Sequence, residues 1–397
     1  MKKIFGLILV VLIVAFGVYF FSYKDGSVDA VRSDVYNLFL NVSGTRTPEY
    51  TKDLKINSLN GIIENDFYYN TLNDEQKKIY TAISYGVKDF KDRFNVQNYN
   101  FVSMEQTLDD VGKALSCFLD DHPEVFYVNN KYTVYTKDNL LFGTLVDVKI
   151  NFTEKSLNDV ETKISRIETE INNILNNIPS DEPIEKELYF HDIIGENVKY
   201  YEYDTIENIP DSCHSIEGVF LNKEAVCDGF SEALNILLSR VNIPSIAVIG
   251  ELEEAHEWNL VKLDDGWYNL DLTSDKSIES TDKEIVTHVY FNRTTEDMQE
   301  THIFNDLNIL PEATATKYMY YNYYDKNILS TDNTTTKLEE ILDNNKNEYL
   351  VEFKVNGQSN ITSVMSNVFG KSKYGKYTKD RIYTYYDILD AYIVMIK

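Results

Sequence analysis

The chain contains 397 residues, with 38 lysines and arginines against 64 aspartates and glutamates, which gives a formal net charge of −26 at pH 7. This length allows two or three domains, each able to bury its own core. The acidic balance argues against a nucleic-acid partner, because affinity for a phosphate backbone depends on neutralising it with lysine and arginine.

The first 23 residues are predicted to be a membrane anchor. Residues 4–21 form an uncharged, mostly apolar run whose length meets the lower limit of about 17 residues for a transmembrane helix. Two lysines precede the run, which places the N-terminus in the cytoplasm and the rest of the chain outside. A cleaved signal peptide is the alternative, although Phe20-Phe21-Ser22-Tyr23 is a poor cleavage site. We expect a single-pass protein of the cell membrane, with an extracytoplasmic stalk at 24–50.

Residues 51–177 are predicted to form an N-terminal α/β domain. Asn73 can cap a first helix, because Gln76 follows three residues later as in a capping box. The other predicted elements are a helix from Thr107 to His122, strands at 125–128, 131–135 and 140–152, and a helix at 156–176. A proline-containing polar linker at 178–183 leads into the next domain.

A helix is predicted to begin at Cys227. Apolar residues at i, i+3, i+4, i+7, i+8 and i+11 define one face, and Pro244 ends the pattern because proline cannot continue a helix. These residues are Phe230, Ala233, Leu234, Leu237, Leu238 and Val241. Unpaired N–H groups at a helix start favour a thiolate, and can lower a thiol pKa to roughly 3.5–7.5. Gly229 leaves room for another element to approach the helix start.

A β-hairpin follows, with two alternating segments joined by a turn at Asp264-Asp265-Gly266. If Lys262 pairs with Trp267 across a four-residue loop, Asp271 becomes the diagonal neighbour of His256 on one face of the sheet. A three-residue loop would place the two side chains on opposite faces. With the thiol, this pair makes a set of nucleophile, base and orienter.

Three motifs in this region resemble those of the transglutaminase-like superfamily. The segment from Cys227 to Phe230 resembles C-x-G-[YF], the segment from His256 to Asn259 resembles H-x-W-N, and the segment from Trp267 to Thr273 resembles W-Y-x-x-D-x-T. The resemblance covers residues 184–306. The segment from Asp121 to Tyr127 is similar to a stretch that precedes this domain in membrane-anchored members of Gram-positive, clostridial type.

The resemblance implies an α+β fold with a papain-like core, in which the helix carrying Cys227 packs on an antiparallel sheet carrying His256 and Asp271. It implies a thiol mechanism with Cys227 as nucleophile, His256 as base and Asp271 as orienter, supported by Gly229 and Trp258. The enzyme would attack an amide carbonyl of a protein, peptide or cell-wall peptide and form a thioester.

Two alternatives remain open at this point. Water resolving the thioester would make the protein a peptidase or amidase, and an amine resolving it would make a transglutaminase. A non-enzymatic surface module that binds cell wall or protein is the alternative to an enzyme. The N–H groups at the start of the helix can face a developing oxyanion, and the candidates for a second oxyanion donor are Tyr200, Tyr201 and His214.

The remaining cysteines and histidines predict no further site. Cys117 and His191 lie on apolar helix faces and are predicted to be core residues. Cys213 lies beside His214, but two adjacent residues cannot complete a zinc site. Three cysteines also argue against a disulfide framework. We expect no metal and no organic cofactor.

The tail at 307–397 is predicted to be a C-terminal α/β module. Its predicted elements are a helix at 337–342, a strand at 349–355, a helix at 361–368 and a strand or strand pair at 381–396.

Overall fold

The structure is a computed structural model that describes most of the chain. The described residues are Leu59 and residues 66–139, 143–276, 284–329, 333–346, 348–356, 382–386 and 390–396. The predicted membrane anchor, the predicted stalk and the predicted helix at 361–368 lie outside them. Within the described residues, no helix has the length and apolar character needed to cross a membrane.

Tertiary contacts divide the described residues into two compact units, the first from Asp66 to Val160 and the second comprising Leu59 and the residues from Glu161 onward. Each unit combines helices with antiparallel strands, so the predicted α+β class is confirmed. The predicted domain boundaries at 51–177, 184–306 and 307–397 stay predictions.

The described part of the first unit contains helices and a three-stranded antiparallel sheet. Its elements are α1 (Phe67–Thr71), α2 (Asp74–Lys88), β1 (Arg93–Val96), α3 (Met104–Asp121), β2 (Val128–Asn139) and β3 (Gly143–Phe152). The strand order is β1-β3-β2. The Asn73 side chain accepts from the Gln76 N–H and the Gln76 side chain accepts from the Asn73 N–H, which confirms the predicted capping box.

Two predictions in this unit differ from the structure. The predicted strand at 125–128 is wrong, because the N–H groups of Val125 and Val128 each donate to a carbonyl three residues earlier and form consecutive turns. Helix α3 begins three residues before the predicted Thr107, because Ser103 caps it by accepting from a backbone N–H of the first turn.

The second unit contains a four-stranded antiparallel sheet. Helix α4 (Leu157–Leu175) begins in the first unit and continues into the second. The elements that follow it, up to Phe304, are α5 (Pro183–Asn197), β4 (Lys199–Tyr200), β5 (Glu224–Ala225), α6 (Cys227–Arg240), β6 (Ser245–Glu251), β7 (Ala255–Leu263), β8 (Gly266–Leu270), α7 (Thr295–Met298) and β9 (Ile303–Phe304). The sheet order is β8-β7-β6-β9, and β4 and β5 form a separate short parallel pair.

Helix α6 packs on β6 and β7 through the face that the sequence predicted. Phe230, Ala233, Leu234, Leu237 and Leu238 are buried, whereas Val241 at the C-cap is only partly buried. Removing a buried leucine side chain of this kind costs about 2–5 kcal/mol, so the apolar face fixes the helix firmly against the strands.

The C-terminal segment of the same unit adds a second sheet. Its elements are α8 (Tyr320–Tyr323), β10 (Asn327–Ile328), α9 (Thr334–Asn344), β11 (Leu350–Asn356), β12 (Ile382–Tyr386) and β13 (Asp390–Ile396), and the sheet order is β10-β11-β13-β12. Leu338 of α9 packs with Phe353 and Ile393 of the sheet in one apolar cluster. The predicted helix at 337–342, the strand at 349–355 and a strand pair at 381–396 are confirmed.

Candidate active site

Cys227 is the first residue of helix α6, as predicted. The carboxylate of Asp228 accepts a hydrogen bond of 2.8 Å from the Gly229 N–H, which places a negative charge at the helix N-terminus, where the helix dipole favours it. A Cβ atom at Gly229 would lie 2.6 Å from the carbonyl oxygen of Cys213. The predicted close approach at Gly229 is therefore confirmed.

The hairpin of β7 and β8 has the predicted register. Lys262 pairs with Trp267, so Asp271, just beyond the end of β8, comes to lie diagonally across from His256. The Nε2 atom of His256 lies 2.7 Å from Oδ2 of Asp271. Asp271 is 1% exposed, so this hydrogen bond is shielded from water.

A buried polar network fixes helix α6 to strand β7. The side-chain amide of Asn259 donates to the carbonyl oxygen of Ser231 at 3.0 Å and to Oδ1 of Asn235 at 2.9 Å. The Ser231 hydroxyl donates back to the carbonyl oxygen of Trp258. Buried amides of this kind must be paired, so they define how the helix sits on the strand.

The thiol of Cys227 lies beside the strand that carries the imidazole. It accepts hydrogen bonds from the backbone N–H groups of Asp228 and Glu257. Glu257 directly follows His256 on β7. The structure therefore brings together the thiol, the imidazole and the carboxylate that the sequence predicted as one set.

Sequence analysis missed three residues that bind Asp271. His302 donates from Nε2 to Oδ2 at 2.9 Å, and the Ser274 hydroxyl donates to the same oxygen at 2.6 Å. The Thr273 hydroxyl donates to Oδ1 at 2.7 Å. Thr273 is the last residue of the third motif, so its role had a sequence signal. His302 lies in a polar segment without a recognisable motif, so nothing in the sequence indicated its role.

Trp258 supports the imidazole from the same face of β7. Its ring lies 6.0 Å from the His256 ring at an interplanar angle of 23°, and its Nε1–H donates to Oδ1 of Asn269 at 3.0 Å. The indole is buried, so it limits the motion of the imidazole and excludes water behind it.

The comparison with known proteins agrees with this geometry. Residues 172–272 match the transglutaminase-like superfamily. These residues belong to that superfamily. The transglutaminase-like domain spans both the Cys227 helix and the His256–Asp271 hairpin, and proteins of this superfamily are in general cysteine-based acyltransferases or peptidases.

A solved structure described as "Crystal structure of a TGase" is also similar to this chain, with 14% sequence identity and a TM-score of 0.26. The similarity covers 48% of this chain and 54% of that chain, so this protein spans about half the length of that structure. No curated protein matches the sequence.

In the transglutaminase-like domain, Asp271 is held in its ionised form. Burial opposes ionisation, but the charges and hydrogen bonds of His256 and His302 outweigh it and hold the pKa of Asp271 well below its usual value. Burial likewise acts to lower the pKa of His256, whereas Asp271 raises it, and the net effect is a pKa above the usual 6.5. The carboxylate therefore orients the imidazole and stabilises its protonated form.

The predicted lowering of the Cys227 pKa is not observed. Burial raises the pKa of the thiol, and the carboxylates of Asp228 and Glu257 act in the same direction. The two backbone N–H groups on the sulfur oppose this effect but do not overcome it. The raised pKa favours the neutral thiol of Cys227 over the thiolate that its position at a helix start predicts.

The three candidate oxyanion donors have different surroundings. Tyr200 stacks on Phe230 with 6.3 Å between ring centroids, and its pKa is raised by burial and, when Cys227 is ionised, also by the charge on that sulfur. A protonated hydroxyl thus lies within electrostatic reach of the sulfur. Tyr201 packs on the apolar cluster around Cys213, and His214 is bound to Asp228 at 2.7 Å. Of the three, Tyr200 is therefore the candidate that interacts electrostatically with Cys227.

The other two cysteines are not placed for catalysis. Cys117 is 1% exposed and packs in the core, as predicted. Cys213 is also buried, and burial raises its pKa to about 11. All three cysteines of the chain are free thiols.

His191 is buried, as predicted, and belongs to a second network of imidazoles and carboxylates. Its Nδ1 bonds to Asp192 at 2.9 Å and its Nε2 to Asp275 at 3.2 Å. His288 bonds through Nδ1 to Glu352 at 2.5 Å and through Nε2 to Asp192 at 3.0 Å. The ring of Tyr320 stacks on His288 at 3.9 Å. We name this set the His191–His288 network.

Within the described residues, two groups place ligand-type atoms within 4.8 Å of one another, namely His191, Asp192 and His288, and His256, Asp271 and His302. In both groups the close approaches are hydrogen bonds between imidazoles and carboxylates, with distances of 2.7–3.0 Å. We therefore assign both groups as hydrogen-bonded networks and assign no metal ligand among them. The expectation of no cofactor stays a prediction.

Proposed function

We propose that the protein is a thiol enzyme that attacks an amide carbonyl through an acyl-enzyme on Cys227. The observation that carries the proposal is the bond of 2.7 Å between His256 and Asp271, next to a thiol that the following residue, Glu257, holds through its backbone N–H. A base that is oriented by a buried carboxylate and adjacent to a nucleophile is the arrangement that nucleophilic catalysis requires.

The proposed reaction proceeds through two acyl transfers. His256 accepts the thiol proton as the sulfur of Cys227 attacks the carbonyl carbon, and the carbonyl oxygen becomes an oxyanion. The imidazolium, stabilised by Asp271, returns the proton to the leaving nitrogen, the C–N bond breaks, and ammonia or an amine leaves a thioester. Water or a second amine then gives its proton to His256 and attacks the thioester, which releases the product and the thiol.

The hydroxyl of Tyr200 is the proposed donor to the oxyanion. It stays protonated, because burial and the nearby sulfur both raise its pKa. An oxyanion donor of this kind typically contributes about 10²–10³-fold in rate. Tyr200→Phe removes the hydroxyl and keeps the ring that stacks on Phe230, so it isolates this contribution.

We further propose that the enzyme acts outside the cytoplasmic membrane on a protein, peptide or cell-wall peptide. The apolar run at 4–21 and the lysines before it support this location. Protease added to intact, wall-stripped cells should digest the domain. Protection until lysis would contradict the proposed topology.

Incubation of the full-length protein with a glutamine peptide and a fluorescent amine, followed by mass analysis, tests the reaction. Labelled peptide indicates transfer and deamidated peptide indicates hydrolysis, and each should disappear in Cys227→Ala. A control with wall peptides in place of the glutamine peptide covers the second substrate class. If neither product forms from either class of peptide and iodoacetamide does not modify Cys227, the result would favour the alternative of a non-enzymatic surface module.

A further inference from the structure

Asp271 carries two imidazoles on a single carboxylate oxygen. His256 and His302 both direct Nε2 at Oδ2, at 2.7 and 2.9 Å, and their ring centroids are 5.7 Å apart. The three sequence motifs contain only one of the two, His256. The second imidazole therefore needs its own explanation.

The position of His302 is fixed by the fold rather than by its neighbours in sequence. Residue 302 directly precedes β9, which pairs with β6 at Gly250 and Glu251, and a side chain at Gly250 would collide with the carbonyl oxygen of Ile303. The His302 ring packs edge-on against Trp258 at 5.0 Å. The histidine is 2% exposed, so it is not accessible to a substrate.

The hydrogen bonds of His302 define its tautomer. The ionised carboxylate of Asp271 can only accept, so Nε2, which faces it at 2.9 Å, carries a proton, and the Thr301 hydroxyl lies 2.8 Å from Nδ1. A buried N–H that donates to a carboxylate disperses the negative charge on that oxygen. The same oxygen then attracts a proton on its other imidazole partner less strongly.

We propose that His302 is a positioning residue that shares the Oδ2 atom of Asp271 with His256 and so limits how tightly the carboxylate holds a proton on the base. Without His302, Asp271 would favour the imidazolium more strongly. A larger fraction of His256 would then already be protonated near neutral pH and could not accept the thiol proton. The inference deepens the proposed function and rests on His256 being the base.

Several titratable groups face this pair from the elements packed around it, and the proposal takes them as unchanged. They are Cys227 and Asp228 from α6, Glu257 from β7, and Tyr290 from the segment before α7, whose ring lies 5.4 Å from His302. None of them bonds to Oδ2 of Asp271 in the described structure, so a substitution at residue 302 removes no hydrogen bond between these groups and that oxygen.

The test compares two substitutions at residue 302. His302→Phe keeps the ring volume but removes the donor, whereas His302→Gln retains an N–H group at a position similar to Nε2. The protein has six histidines, so the His256 imidazole can be assigned in NMR spectra of the full-length protein by comparison with His256→Gln. The His256 pKa is then titrated in each variant.

We expect His302→Phe to raise the His256 pKa by about half a unit or more, and His302→Gln to leave it near the wild-type value. The pH at which iodoacetamide begins to modify Cys227 should shift upward in the same variant. Thr301→Val, which changes a solvent-exposed residue, provides a second test if His302→Phe does not fold, with a smaller upward shift expected.

An unchanged or lowered His256 pKa in His302→Phe would overturn the proposal, and so would an equal shift in His302→Gln. If only Thr301→Val folds, the absence of an upward shift there would overturn it. The NMR titration needs no turnover. Full activity in Cys227→Ala would refute the proposed function, and this result is distinguishable from a His256 titration that refutes the role of His302.

Discussion

The second unit contains two networks of imidazoles and carboxylates that use the same groups to different ends. In the His256–Asp271–His302 set, the hydrogen bonds of His256 fall on Nε2, and its side chain is 9% exposed. In the His191–His288 network, both ring nitrogens of each histidine bond to carboxylates. The first network leaves Nδ1 of His256 available to accept a proton. In the second network, each ring nitrogen of His191 and His288 is already bound to a carboxylate.

The difference shows what turns an imidazole–carboxylate pair into a base. A histidine with carboxylates on both nitrogens is stabilised as a cation, and burial acts against that charge but is outweighed, so that the pKa of His288 rises to about 10. A histidine of this kind stabilises the fold. A base needs one carboxylate for orientation and one nitrogen open toward a nucleophile, which in the proposed mechanism is Cys227.

The largest effect that separates the networks should come from the nucleophile. We expect Cys227→Ala to abolish product formation, because only this thiol lies beside the open imidazole. Cys213→Ala and Cys117→Ala should keep most of the activity, and they serve as controls since both thiols are buried. Mass analysis of product from the three variants checks the prediction, and substantial turnover by Cys227→Ala would refute the assignment.

Asp271→Asn should lower kcat by roughly 10⁴-fold, because the amide cannot hold the correct tautomer or stabilise the imidazolium. The matched control is Asp275→Asn, the same change in a carboxylate that binds His191. We expect that variant to lower thermal stability but to change kcat by less than about tenfold. Equal losses of kcat in the two variants would show that the networks are not separate.

Glu352→Gln should affect stability more than activity, in contrast to Asp271→Asn. We expect a loss of about 3–5 kcal/mol in the free energy of unfolding and only a small change in kcat. Glu352 accepts from both the backbone N–H and the ring of His288, so its loss leaves a buried imidazolium poorly paired. Denaturant unfolding of the variant and the wild type measures the difference, and unchanged stability would contradict it.

The same network predicts how stability depends on pH. Because His288 has a pKa of about 10 in the folded protein and an ordinary value of 6.5, its contribution is complete below about pH 6.5 and disappears as the pH rises through 10. The pKa values of Glu352 and Asp192 are lowered against the effect of burial, so their contributions disappear in acid. The wild-type Tm should therefore fall on the alkaline side, and less steeply in His288→Gln.

The smallest expected effect is a shift in the pH profile of catalysis. His256 must be neutral to accept the thiol proton, and Asp271 raises its pKa against the effect of burial. The acid limb of kcat/KM should therefore lie above pH 6.5. In Asp271→Asn the limb should move to lower pH, because burial then acts on the imidazole with only the charge of Asp228 to oppose it. A limb at or below pH 6.5 in the wild type would contradict this reading.

Local sequence determined much of the candidate site. The apolar spacing after Cys227 and the turn at Asp264-Asp265-Gly266 gave the helix start and the hairpin register, and the register alone placed Asp271 within reach of His256. These features were predictable because they depend on residues close together in the chain, where periodicity and turn geometry leave few arrangements.

Only the tertiary structure decided which groups surround the site. His302 reaches Asp271 from 31 residues away because β9 pairs with β6, and no local pattern marks it. The raised pKa of the Cys227 thiol likewise depends on burial and on Glu257 of a neighbouring strand. Burial and through-space charge depend on chain segments that are distant in sequence, whereas helix starts and hairpin registers depend mainly on neighbouring residues.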